Sequence, residues 1–253
     1  MRSPPTVAVV GLGLVGGSLA RALTRAGWRV TGVDRPRVLR RALAERAVSA
    51  ASSTPEAAGA DLIVLAAPPE ANLLVLRRLA RHGVKGVITD VSSVKGPICR
   101  EARRLGIRSF VGGHPMAGSE RSGFTASSPD LFLGRPWILT EGAPRRATAA
   151  VRAMVRAAGG RPVSMTAADH DRAAAFLSHA PQIVSWALMQ AALRDPVARR
   201  HLAIAGPGFR DMTRLARSPR GLWREILRQN RAHVRRALGA LLQGLARPAG
   251  GEP

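Results

Sequence analysis

Thr6-Val7-Ala8-Val9-Val10-Gly11-Leu12-Gly13-Leu14-Val15-Gly16 decides the fold. Its first five residues, mostly β-branched and without polar alternation, read as a strand buried on both faces. The strand runs straight into G-x-G-x-x-G, and a helical stretch from Ser18 to Ala26 follows. Between strand and helix, Gly11 allows the tight turn, Gly13 lets a pyrophosphate reach the backbone, and Gly16 lets helix pack on strand. Leu14 and Val15 lie where a helix start offers free N–H groups and partial positive charge to phosphates. Arg29 to Val33 is the next strand, and Asp34 ends it where a carboxylate receives the ribose hydroxyls of NAD. Asp34 repels a 2′-phosphate, whereas Arg35 beside it accommodates one in part, so the expected cofactor is NAD, with NADP second.

The alternation continues. Asp61 to Leu65 is a strand stopped by Pro68 and Pro69, and Pro68 is either a wall of the nicotinamide pocket or only a terminator. Helix Asn72 to Arg81, strand Gly86 to Thr89, helix Pro97 to Leu105 and strand Ser109 to Val111 follow. This spacing predicts a Rossmann-like, doubly wound, mostly parallel sheet. Trp137 to Thr140, helix Ala147 to Ala158 and Pro162 to Met165 close a first domain at 1–166. From Ala167 the pattern is helical only, which defines a second domain over 167–253. Phe176, Leu177, Ala180, Ile183, Val184, Ala187, Leu188 and Ala191 line one helix face; Leu222, Ile226, Leu227, Val234, Leu238, Leu241, Leu242 and Leu245 line another. These faces either pack on each other or are buried against a second copy, and a homodimer through the helical domain is expected. Residues 247–253 read as a loose tail.

Composition narrows the function. Lys and Arg number 39 against 16 Asp and Glu, a formal charge of +23, yet Lys85 and Lys95 are the only lysines and the arginines are scattered through every segment. That spread, with aromatic content of 4% and no zinc spacing, argues for non-specific attraction to polyanions over a nucleic-acid site. One cysteine, Cys99, excludes an internal disulfide and a thiolate cluster. No signal pattern opens the chain and no apolar run reaches membrane length, so a cytoplasmic protein without membrane contact is expected.

The chemistry is carried by Gly112-Gly113-His114-Pro115-Met116-Ala117-Gly118-Ser119-Glu120, read as a rigid loop delivered by the strand Ser109 to Val111. A histidine there titrates near working pH, at about 6.5 when unperturbed, which suits an acid or base; the alternative is a hydrogen bond within a turn. Asp90-Val91-Ser92-Ser93-Val94-Lys95 reaches the same sheet edge.

These stretches, with Asp169-His170-Asp171, Ser178-His179-Ala180-Pro181, Gly206-Pro207-Gly208-Phe209-Arg210-Asp211-Met212-Thr213-Arg214 and Trp223, resemble the prephenate/arogenate dehydrogenases of tyrosine biosynthesis over nearly the whole chain. The resemblance implies oxidative decarboxylation of prephenate to 4-hydroxyphenylpyruvate, or of arogenate to tyrosine, with hydride transfer to NAD. It makes His114 the base for the ring hydroxyl and Ser93 the serine that orients it; a plain helix N-cap is the other reading of Ser93. It places the ring carboxylate on Arg214, with Arg210 a further cation where many members have lysine. Gly118 and Glu120 line the substrate side, and Glu120 and Asp171 either form ion pairs at the mouth or are solvated. No metal is implied. Gln182 stands where tyrosine-sensitive members have a second histidine, which puts feedback inhibition in doubt, and a fused mutase or amino-acid-sensing domain is not expected. The rivals are another two-domain NAD(P)-dependent oxidoreductase, of the 3-hydroxyacid dehydrogenase or imine reductase type, and a basic, non-catalytic nucleotide- or nucleic-acid-binding protein.

Overall fold

The computed structural model describes residues 4–56, 59–119 and 121–246. Residues Met1–His170 and Asp171–Pro253 form two compact units. In the first, β1 (Thr6–Val10), α1 (Leu14–Arg25), β2 (Arg29–Val33), α2 (Pro36–Ala44), β3 (Ala50–Ser52), β4 (Leu62–Leu65), α3 (Pro69–Arg81), β5 (Val87–Asp90), α4 (Gly96–Arg104) and β6 (Phe110–Val111) build a six-stranded sheet. Its order is β3-β2-β1-β4-β5-β6, and every pairing is parallel. The chain winds outward from β1 on one side and from β4 on the other, so the two strands flank a topological switch, where open sheets bind ligands at the carboxyl edge.

Period two along the central strands sorts the core into two layers. Val7, Val9, Leu62 and Val64 pack with Leu19 and Leu23 of α1, while Ala8, Val10, Ile63 and Leu65 pack with Leu76 and Leu79 of α3 and Ile98 of α4. Leu76 and Leu79 are wholly buried, each contributing roughly 1.5–3 kcal/mol of apolar transfer free energy. Helix α1 begins at Leu14 rather than Ser18. The last three residues of the glycine motif, Leu14, Val15 and Gly16, thus already belong to the helix.

A second, three-stranded sheet, β7 (Gly113–Pro115), β8 (Pro136–Thr140) and β9 (Arg161–Met165), follows in the order β7-β8-β9, with α5 (Arg145–Ala157) between its last two strands. β7 runs antiparallel to β8, which is parallel to β9. His114 was expected in a loop but is in β7, opposite Ile138. Gly112 and Gly113 serve close approach, not positive φ. A Cβ on Gly113 would lie 2.4 Å from the Asp90 carbonyl oxygen, and one on Gly112 would lie 2.8 Å from Thr140 Oγ1.

Across the outer layer, Glu101 of α4 accepts from both Arg77 of α3 and Arg104. These guanidinium hydrogen bonds hold its carboxyl down at about 2. A depressed folded-state value means stabilisation that is full above the ordinary carboxylate range and lost as pH falls. Glu101→Gln is expected to lower the melting temperature by about 1–3 °C at neutral pH, since exposed pairs contribute little. The gap to wild type should close as pH drops from 4.5 to about 2, which melting curves along a pH series will check.

The second unit takes up the chain within α6 (Ala167–Ala174), followed by α7 (Ala180–Arg194), α8 (Pro196–Arg200), α9 (Pro207–Thr213), α10 (Arg220–Gln229) and α11 (Arg231–Ala246). Pro181 sits in the first turn of α7 directly after a π-helical turn over Ala175–His179. Its missing N–H and its ring are absorbed by that wider turn. The last apolar face is likewise divided, at Asn230 between α10 and α11. Ala175, Ala180, Val234 and Ala237 form a small core with Ile183, Leu227 and Leu238 against it, while Leu177, Leu242 and Leu245 stay 75, 65 and 74% exposed. Among the described residues no helix is long and apolar enough to cross a membrane. The expected tail over 247–253 lies outside the described residues.

Candidate active site

The glycine loop is held from three sides. Gly11 has φ of +93°, a conformation that favours glycine, and a Cβ there would lie 2.6 Å from Ala67 N at the end of β4. A Cβ on Gly16 would lie 1.9 Å from the Gly11 carbonyl oxygen, so α1 can start here only with glycine. Gly13 has open space where its Cβ would stand, and as the N-cap of α1 it supplies no side-chain cap. A helix start of this kind, with Leu14 and Val15 in its first turn, offers free N–H groups that suit a phosphate. Asp34 lies over this loop: its Oδ2 accepts from Leu12 N at 2.6 Å and its Oδ1 from Arg35 N at 2.6 Å. Each oxygen retains a lone pair for a ribose hydroxyl. Arg35 is exposed, and so is Pro68, which caps α3 just after the Ala66-Ala67 step packed on Gly11. Gly11 to Gly16, Asp34, Arg35 and Pro68 thus gather at the β1, β2 and β4 ends.

At the end of β5 the sequence reading missed a buried clamp. Lys95 and Asp90 are both fully buried and paired at 2.5 Å. Lys95 Nζ also donates to the Gly113 carbonyl at 2.6 Å, and Asp90 accepts from Gly113 N at 2.9 Å and Ser92 N at 3.0 Å. Both polar groups of Gly113, the residue before His114, are therefore tied to one ion pair. Asn72 of α3 extends the network by donating to the Ser92 hydroxyl at 3.0 Å and the Leu65 carbonyl at 3.2 Å. Ser93, half-buried, lies inside the turn so fastened. The spacing of Asp90 and Lys95, five apart across a strand end, was the available signal for this pair; its partner Gly113 was not.

His114 is 8% exposed and His170 2%. His114 Nδ1 lies 2.8 Å from His170 Nε2, with the rings edge to face at 5.1 Å between centroids. Fifty-six residues separate them, so no local pattern announces the contact. His179 Nδ1 lies 3.1 Å from Asn230 Nδ2, which also donates to the Asp171 carbonyl at 2.7 Å.

Arg210 and Arg214 belong to the second unit, four residues apart at the end of α9 and the start of the following 3-10 turn, both exposed. Asp171 is buried there, and Gln182, also buried, donates to the Leu215 carbonyl at 2.7 Å. This holds the chain just beyond Arg214. His179 and Trp223 meet edge to face at 5.9 Å, and Trp223 meets Trp186 at 6.2 Å. In the first unit Gly118 is exposed with open space around it. Glu120 lies outside the described residues.

Residues 19–164 match the family described as prephenate dehydrogenase, nucleotide-binding domain, and residues 166–247 match prephenate dehydrogenase, dimerization domain. The chain is 34% identical over 247 residues to the prephenate dehydrogenase of Bacillus subtilis, covering 90% of this chain and 65% of that protein. It therefore spans just under two thirds of that relative's length. A Synechocystis arogenate dehydrogenase superposes with a TM-score of 0.81 at 32% identity, covering 95% of this chain and 89% of that one. The A. aeolicus prephenate dehydrogenase in complex with hydroxyphenyl propionate and NAD+ gives 0.88 at 28% identity, with 96 and 89% covered. With both parts of the chain matched in order, this protein belongs to the prephenate dehydrogenase family.

Proposed function

We propose that this chain, acting in the cytoplasm, catalyses the oxidative decarboxylation of prephenate to 4-hydroxyphenylpyruvate, or of arogenate to tyrosine, with NAD preferred over NADP. The observation that carries the reading is a nearly buried histidine clamped at the carboxyl edge of the sheet that also presents an unobstructed dinucleotide loop. Gly11, Gly13, Leu14, Val15 and Gly16 would hold the pyrophosphate, Asp34 the ribose and Pro68 one side of the ring. Bound there, NAD supplies the hydride acceptor. His114 takes the proton of the ring hydroxyl while Ser93 orients the pair; hydride leaves the hydroxyl-bearing carbon, and loss of CO2 from the opposite carbon makes the ring aromatic. Proton transfer to a positioned base of this kind contributes roughly 10²–10⁴-fold. Arg214 grips the ring carboxylate through its planar guanidinium, and Arg210 adds a second cation. Gly118 and Glu120 border the substrate. The domains divide into 1–166 for the cofactor and 167–253 for substrate contacts and pairing. A homodimer through the helical domain is supported by the matched dimerization family and by the exposed Leu177, Leu242 and Leu245.

The test is formation of reduced nicotinamide by purified protein, with prephenate and arogenate each paired with NAD and NADP. Turnover with either substrate sustains the reading; none with any pair, in folded protein that binds NAD, overturns it. Arg214→Ala is expected to raise KM for the active substrate roughly 10–100-fold, as loss of a charged hydrogen-bond pair does. Unchanged KM would place Arg214 outside the pocket.

A further inference from the structure

We propose that His170 is the positioning residue that holds His114 in the tautomer with its proton on Nδ1, which makes Nε2 the basic nitrogen. The inference rests on the reading of His114 as the proton acceptor. In a neutral imidazole one nitrogen donates and the other accepts, and the bond made by one nitrogen selects which carries the proton. His114 Nδ1 is committed to His170 Nε2 at 2.8 Å, with both rings nearly excluded from water. Only one arrangement of that contact leaves a basic Nε2 on His114: Nδ1–H donates and His170 Nε2 accepts. His170 must then carry its own proton on Nδ1.

The bond also acts after proton transfer. When His114 Nε2 takes the hydroxyl proton the ring becomes an imidazolium, and its Nδ1–H then makes a charge-assisted, stronger hydrogen bond to His170 Nε2. The backbone supports both ends. β7 carries His114 with Gly113 fastened to Asp90 and Lys95, and His170 lies on α6, whose start is set by Thr166 Oγ1 and Asp169, paired at 2.7 Å.

Two variants separate positioning from bulk. His170→Leu removes the acceptor, and His170→Gln restores an oxygen at similar reach. His170→Leu is expected to lower kcat about 10–100-fold, the size typical of losing an outer partner that orients a histidine, with KM for substrate and Kd for NAD within about twofold of wild type. His170→Gln should recover most of kcat. Nitrogen-15 spectra of selectively labelled histidine, with the His114 signal identified by its absence in His114→Asn, should show protonated Nδ1 in wild type and in His170→Gln, and a shift toward protonated Nε2 in His170→Leu. Wild-type His114 protonated on Nε2, or unchanged kcat in folded His170→Leu, overturns the proposal. If wild type turns over neither prephenate nor arogenate, the functional reading falls, while the spectra still decide whether His170 sets the tautomer.

Discussion

Replacing His114 by asparagine lowers kcat by roughly 10²–10⁴-fold and leaves NAD affinity and the melting temperature close to wild type. Asparagine is near histidine in size and hydrogen-bonds, so it can keep the β7 position opposite Ile138, but it accepts no proton at neutral pH. The loss therefore falls on the step in which the ring hydroxyl is deprotonated. The dinucleotide loop is built from β1, β2 and β4 residues that His114 does not support, which is why binding of NAD is spared. Stopped-flow or steady-state turnover alongside calorimetric titration of NAD separates the two. Near-wild-type kcat would remove His114 as the base.

Lys95→Met carries the largest expected cost to the fold, about 3–5 kcal/mol, because it leaves the Asp90 carboxylate buried without its cation. In a chain of 253 residues this corresponds to a fall in melting temperature of roughly 10 °C. The carboxylate keeps its bonds from Ser92 N and Gly113 N, but the Gly113 carbonyl loses its ammonium donor, so the residue before His114 loosens. kcat is expected to drop along with stability. Asp90→Asn combined with Lys95→Met removes the stranded charge and should recover part of the lost stability, a coupling that a double-mutant cycle measures. A single Lys95→Met variant melting within about a degree of wild type would show that the buried pair contributes nothing to holding the edge together.

The dinucleotide half was legible because every signal in it is local. A buried apolar run, a turn that only glycine can make and a carboxylate at the next strand end each depend on a few neighbouring residues, and the structure bonds Asp34 to Leu12 N. The motifs around Ser93 and His114 were legible as chemistry but not as architecture. Gly112 and Gly113 looked like loop glycines; Gly113 opens β7 and Gly112 links it to β6, and their missing Cβ atoms let the chain close on Asp90 and Thr140.

The sequence by itself determined the βα alternation, the parallel sheet, the helical second part and the residue types at the edge, since periodicity and turn chemistry act over one strand or one turn of helix. Tertiary structure alone decided that β7 leaves the main sheet to pair antiparallel with β8, that Lys95 spends its charge under Gly113, and that His170 faces His114. Each of these joins groups far apart in the chain, or orients a side chain that could have pointed to water. Such contacts are selected by the packing of whole layers and by the cost of burying a polar group without a partner, neither of which a local stretch of residues encodes.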